Sequence, residues 1–255
     1  MEFASQLQQA TGKGYLSYSS VKHALNDIRL WEMYMAGQLR KESQALSFGS
    51  VYDTLLFEPE KYESLYHTFD DKEICAEIGG KNPRATKKYK EWKEDLYVDA
   101  KALGKEVVSE DDYIMAIDMI SRLDDCGLLE SHLTGEVQLE FNSWIEDIPV
   151  RGFLDCKIPG TIIDSKSTRS IGGFKRDIFN FGYDIQAYIY TSVFPDNEFA
   201  WVAQEKSYPY LPALVHASEE TLRSGEYKFW KAVDTIKHHF QLERPASTFY
   251  KEFYV

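Results

Sequence analysis

The chain has 255 residues and a formal net charge of −12, with 44% hydrophobic, 15% aromatic and 27% charged residues. That apolar share supplies a core and excludes a disordered, collagen-like or low-complexity chain, and the length fits one large domain or two closely packed ones. No apolar run approaches the ~20 residues of a membrane span, the start lacks a secretory layout, and three scattered cysteines (Cys75, Cys126, Cys156) form no CxxC pair, so a soluble intracellular protein without a disulfide framework or cysteine-ligated metal is expected.

In chain order, Ser17–Arg40 reads as a helix: Ser17 or Ser19 can cap it, and Val21, Leu25, Ile28 and the Trp31–Met35 cluster recur at helical spacing. Ser47 or Ser50 opens a second helix through Val51, Leu55 and Leu56, closed by Phe57-Glu58-Pro59. Ile74–Pro83 reads as a loop, followed by helices over Ala85–Leu103 and Glu110–Leu123. The period then changes, because Val137, Leu139 and Phe141 alternate with polar residues as in a half-buried strand. A turn at Ile145–Pro149 leads to a strand over Val150–Lys157, and Pro159-Gly160 turns into a third strand, Thr161–Ser167. A helix near Asp177–Val193, strands at Glu198–Glu205 and Leu211–His216, and a helix from Ser218 to Phe240 complete a mixed α/β or α+β pattern. His238-His239 reads as an exposed helix end.

The negative charge is unevenly spread. Between Lys105 and Asp147 twelve acids face two bases, a local net of −10, which leaves about −2 for everything else. One basic stretch (Lys81, Arg84, Lys87, Lys88, Lys90, Lys93) reads as solvated helix faces, and a second holds Lys166, Arg169, Lys175 and Arg176 with no acid between them. A chain of this kind can be acidic overall and still offer a positive groove to phosphates.

The chemistry concentrates on the meander. Symmetric pairing about Pro159-Gly160 makes partner numbers sum to 319, which puts Asp155 opposite Asp164 and Lys166 opposite Phe153. Pairing about Glu146-Asp147 gives a sum of 293 and puts Glu140 opposite Phe153, diagonal to Asp155. Two carboxylates ~5 Å apart repel by about 3 kcal/mol at an effective dielectric of 20, so either one holds a proton or a cation sits between them. An all-oxygen site suits Mg²⁺ or Mn²⁺.

Gly152-Phe153-Leu154-Asp155 followed by Ile162-Ile163-Asp164-Ser165-Lys166-Ser167-Thr168 resembles the core of the PD-(D/E)XK nuclease superfamily, with one acid and then acid-x-lysine on the next strand. More narrowly, the chain resembles the RecE-type (exodeoxyribonuclease VIII-like) exonucleases of phages and prophages. Leu16-Ser17-Tyr18-Ser19, the helix motif from Ala45 to Pro59, the Gln186-x-x-x-Tyr190 helix, and Gln204-Glu205-Lys206 with Pro209-Tyr210 carry this resemblance from about Tyr15 onward. One position departs: many members carry histidine where this chain has Asp53.

The resemblance implies an α/β (α+β) fold with a restriction-endonuclease-like core, a central mixed sheet flanked by helices. It is expected as one domain over 1–255, with a helical part at about 15–130, the meander and helix at about 136–193 and C-terminal elements at about 198–255. It implies a Mg²⁺-dependent (Mn²⁺ as the alternative) 5′-to-3′ exonuclease on linear double-stranded DNA, with one or two ions. Asp155, Asp164 and the Ser165 carbonyl would hold the principal metal, and Glu140 and Asp53 would assist there or at a second. Lys166 would orient or deprotonate the attacking water, Gln186 and Tyr190 would position water or phosphate, and Arg169, Lys175 and Arg176 would grip the DNA backbone. Double-stranded DNA ends, a homo-oligomeric ring and a single-strand-annealing recombinase are the implied partners, in the cytoplasm of a bacterial host. A structure-specific endonuclease of the same superfamily and a non-catalytic DNA-end-binding module stay open as alternatives.

Overall fold

A computed structural model describes residues 2–39 and 48–242. In chain order it contains α1 (Glu2–Thr11), α2 (Tyr18–Asn26), α3 (Ile28–Met35), α4 (Phe48–Phe57), α5 (Tyr62–Leu65), β1 (Tyr66–Phe69), α6 (Lys72–Ile78) and α7 (Lys87–Ala102). There follow β2 (Glu106–Ser109), α8 (Glu110–Asp125), α9 (Leu128–His132), β3 (Glu136–Ile145), β4 (Ile148–Ile158) and β5 (Thr161–Thr168). The remainder is α10 (Ile171–Asn180), α11 (Tyr183–Val193), β6 (Glu198–Glu205), β7 (Pro212–His216) and α12 (Glu219–Gln241). No helix among the described residues is long and apolar enough to cross a membrane.

The central sheet is mixed, in the order β3-β4-β5-β6-β7, with β5 and β6 parallel and the other neighbours antiparallel. β6 is its most buried strand: Phe199, Trp201 and Ala203 pack with the helices of one face, and Ala200 and Val202 with the other. Burial on both faces explains its continuous apolar run. One face carries α1, α2, α3, α10, α11 and α12, and the other carries α4 and α8. This is the expected mixed sheet flanked by helices.

Several elements differ from the periodic reading. The helix expected over Ser17–Arg40 is two helices, because Asp27 is extended (φ −168°, ψ 126°) and its carboxylate caps α3 by accepting the Arg29 N–H at 3.0 Å. Ser17 does cap α2, reciprocally with Ser20. Ser50 lies inside α4 instead of capping it, and Ser47 lies outside the described residues, as does Arg40. The loop expected at Ile74–Pro83 begins as α6, a seven-residue helix whose half-buried stripe of Ile74, Cys75 and Ile78 is too short to read as a period. Strands β1 and β2 pair in parallel as a separate small sheet, too short to announce themselves by alternation. The helix expected near Asp177–Val193 starts earlier, at Ile171, whose N–H is held by the Glu205 carboxylate at 2.7 Å, and it breaks at Gly182 (φ +77°). His239 is buried, edge-on to Trp31 with ring centroids 6.1 Å apart, so only His238 is an exposed helix-end residue.

The position of α11 depends on α12. A Cβ on Gly225 would lie 2.0 Å from the Asp184 carbonyl oxygen, so the two helices touch through bare backbone. Beside that contact, buried Asp184 accepts from Ser224 Oγ at 2.6 Å and pairs with Lys228 Nζ at 2.7 Å. Gly225→Ala must push the helices apart and should destabilise the protein by about 1–3 kcal/mol. Urea denaturation measures this, and an unchanged midpoint would show that the crossing is not tight.

Candidate functional site

The two hairpin registers follow the expected sums. Glu140 pairs with Phe153, and Cys156 with Ile163, Lys157 with Ile162 and Ile158 with Thr161. The β4–β5 ladder ends there, however. Asp155 and Asp164 are not ladder partners, nor are Phe153 and Lys166. Side-chain alternation also breaks: Leu154 packs in the core of Ile162, while Cys156 packs in the core of Ile163. The strands therefore separate at the acids, and side chains take over the freed backbone groups. Asp155 Oδ2 accepts the Ser165 N–H at 2.9 Å, and the Tyr190 hydroxyl donates to the Phe153 carbonyl at 2.9 Å.

Asp164, 1% exposed, is the centre of the cluster. Its Oδ1 accepts from Gln186 Nε2 at 2.6 Å, and its Oδ2 pairs with Lys166 Nζ. Lys166 Nζ also donates to the Ser165 carbonyl at 3.2 Å and sits 5.2 Å from the centroid of the Tyr183 ring. The Gln186 amide oxygen is buried with no hydrogen-bond partner among the described residues, an open acceptor beside the carboxylates. Asp53 reaches the same place from α4, and with Asp155, Asp164, Lys166, Gln186 and Tyr190 it lines a cavity of about 420 Å³.

The acids at the centre of this cavity are strongly perturbed by burial and by one another. Burial, followed by the charge of Asp164, pushes Asp155 well above the ordinary carboxylate range. Burial pushes Asp53 up to about 7, against the pull of Lys166. Burial alone would lower Lys166, but Asp164 and then Asp155 outweigh it and hold the ammonium charged above its ordinary value. Lys166 is the cation paired within the cluster, while Lys13 and Arg151 stand on the wall of the same cavity, Arg151 already engaged by Glu140. Asp155, Asp164 and the Ser165 carbonyl are all oxygen donors, as a hard divalent ion requires, and such an ion keeps waters and needs only one or two carboxylates. No three carboxylate, histidine or cysteine side chains among the described residues form a closed metal cage.

The structure brings together Asp53, Asp155, Asp164, Ser165, Lys166, Gln186 and Tyr190. It draws Glu140 away: that carboxylate is half exposed and accepts from Arg151 Nε at 2.6 Å, so the correct register still leaves it outside the cavity lining. The Tyr190 ring packs edge-to-face on Phe141 at 5.3 Å, so the residue also belongs to the core. Arg169 and Arg176 line a separate recess with Lys206, whereas Lys175 is exposed on α10 outside it. Arg151 escaped the sequence reading. Its guanidinium lies 5.2 Å from the Tyr15 ring and 5.6 Å from the Phe153 ring, on the cavity wall. The motif residue Gln204 is a staple: buried, it accepts from the Tyr52 hydroxyl at 2.5 Å and donates to the carbonyls of Met119 at 2.8 Å and Tyr210 at 3.0 Å.

The profile of a family described as a PDDEXK-like domain of unknown function (DUF3799) matches residues 19–248. Among solved structures, a putative exonuclease from Eubacterium rectale superposes with a TM-score of 0.65 at 15% identity, covering 98% of this chain and 93% of that one. That likeness is one of fold. A second structure, SSO0001, reaches a TM-score of 0.32 at 14% identity over 86% and 84% of the two chains, which is too low to support an argument. No curated protein matches the sequence.

The raised Asp53 pKa has a stability consequence of definite sign. An acid raised in the folded state stabilises the fold while protonated, fully below its unfolded value of 3.8, and this is lost as pH rises through about 7. Asp155 acts in the same direction. Without divalent ions the melting temperature should fall by a few degrees between about pH 4 and about pH 8, and Asp53→Asn should flatten that fall. Thermal melts of both proteins measure it, and equal slopes would remove Asp53 from the cluster.

Proposed function

We propose, from the premise that this chain belongs to the PDDEXK-like domain family, that it is a metal-dependent nuclease hydrolysing phosphodiester bonds. The observation that supports this most directly is the parting of β4 and β5 around Asp155, Asp164 and Lys166, where Asp53 joins the two acids in one cavity. The finer reading is a 5′-to-3′ exonuclease on linear double-stranded DNA of the RecE type, serving phage-type homologous recombination. It rests on the ordered motifs from Leu16 to Tyr210, and the putative exonuclease named above shares the fold. A ring-shaped homo-oligomer, a single-strand-annealing recombinase and the bacterial cytoplasm belong to the same reading.

A bound Mg²⁺ or Mn²⁺ would supply an activated water and neutralise charge on the phosphate. Asp155, Asp164 and the Ser165 carbonyl would hold it, with Asp53 assisting there or at a second ion. Gln186 fixes the rotamer of Asp164 through its 2.6 Å hydrogen bond. Lys166, whose ammonium pairs with Asp164, would orient or deprotonate the attacking water. Tyr190 holds the Phe153 carbonyl and with it the strand that presents Asp155. Arg169, Lys175 and Arg176 would contact the DNA backbone, the two arginines from the same recess.

End-labelled linear duplex with Mg²⁺ should release nucleotides, and chelation should stop the release. Asp164→Ala and Lys166→Ala should each lower the rate by about a hundredfold or more while the protein stays folded by circular dichroism. Digestion unaffected by either change would refute the site. Cutting of covalently closed circles would replace the exonuclease reading with an endonuclease, and salt-dependent DNA binding without turnover would replace it with a binding module.

A further inference from the structure

The carboxylate cluster divides its cleft instead of closing it. Asp53 and Lys166 line both the 420 Å³ cavity and an adjoining lobe of about 850 Å³. Phe48, Phe69, Tyr97, Lys93 and Lys206 wall the second lobe. Lys93 Nζ lies 5.7 Å from the Phe69 ring centroid and 5.9 Å from that of Tyr97, and Lys206 Nζ lies 5.7 Å from that of Phe48. Both lysines are half-buried, and neither pairs with a carboxylate among the described residues. Three of Lys93's neighbours in the basic stretch are paired, Arg84 with Asp71, Lys87 with Glu91 and Lys88 with Glu77, and Lys81 and Lys90 are exposed. Of the acids on the lobe wall, Asp53 belongs to the cluster and Asp112 accepts from Ser109 Oγ at 2.7 Å.

Each of these ammonium groups faces aromatic rings and no carboxylate among the described residues, which leaves it open to an anion. Lysines interleaved with aromatic rings combine backbone attraction with base stacking, the two terms that bind a single polynucleotide strand. A duplex keeps its base faces inside its own stack, so only an unpaired strand uses both. We propose that this lobe binds the single-stranded DNA that continues from the phosphodiester at the Asp155–Asp164 cluster, with Lys93 and Lys206 on its phosphates and Phe48, Phe69 and Tyr97 against its bases. This rests on the nuclease reading above. Lys206 also lines the recess of Arg169 and Arg176, so the strand path continues toward them.

Fluorescence anisotropy with a labelled oligothymidylate in EDTA, titrated with salt, tests this with no chemistry taking place. Lys93→Ala with Lys206→Ala should weaken binding about tenfold or more and reduce the slope of log affinity against log salt by about 0.7 per lysine. The single Lys93→Gln should show part of the loss, and arginine at both positions should restore affinity. Lys87→Ala with Lys88→Ala, on paired lysines, should leave affinity and slope unchanged. Wild-type binding by the Lys93/Lys206 variant, an equal loss from the Lys87/Lys88 variant, or a loss confined to duplex of the same sequence would each overturn the proposal. If wild-type protein hydrolyses nothing, the nuclease reading falls while this readout stands. If digestion depends on Lys166 but the lobe variants bind normally, only the lobe assignment falls.

Discussion

Asp155, Asp164 and Asp53 are crowded into one partly buried cavity with Lys166 paired among them, and much of the surrounding architecture answers to that crowding. Left in a regular antiparallel ladder, the first two would face each other across a strand pair, where like charges are destabilising. The strands part instead. The Asp155 carboxylate takes a backbone N–H that the ladder has lost, Gln186 and Lys166 divide the two oxygens of Asp164 between them, and Asp53 is held near neutral pKa by burial. The same parting that relieves the repulsion opens the cavity to a ligand.

The rest of the fold keeps this arrangement in register. β6 pairs in parallel along the whole of β5 and is buried on both sides, so the strand bearing Asp164 and Lys166 is anchored where its other edge is free. α11 brings Gln186 and Tyr190 over the gap, and its position is set by the bare-backbone crossing at Gly225. Gln204 and Glu205, adjacent on β6, tie the far end of the sheet to α4, α8 and the start of α10. Asp53 reaches the cluster because α4, which carries it, packs on the face opposite α11. On the proposed nuclease reading, that arrangement is what presents both the reacting phosphate and the strand leading away from it.

Legibility in the sequence followed the range of the interaction involved. Strong alternation and two short turns made both hairpin sums, 293 and 319, readable from residue numbers alone. The end of the ladder was not readable, because it depends on which groups can replace lost backbone partners, and Tyr190 comes from a distant helix. Glu140 shows the same limit: its register was right, but Arg151 on the same face binds its carboxylate. The helix breaks at Asp27 and Gly182 carried local signals, a capping acid and a glycine, which apolar periodicity overrode. The start of α10 carried one as well, Ser170 at the N-cap, but its hydroxyl makes no cap bond and Glu205 supplies the acceptor from another strand.

The sequence by itself determined the order of the five central strands and of the larger helices around them, the mixed fold class, and the spacing that puts an acid on one strand and acid-x-lysine on the next. These follow from local periods and turn chemistry, which act over a few residues. Only the tertiary structure decided which charges are compensated. Lys88 finds Glu77 and Lys93 finds two aromatic rings, though both lie on one helix; Arg151 claims Glu140, and Asp53 joins two acids more than a hundred positions away. Electrostatic energy depends on separation and burial in space, and neither is a function of position along the chain.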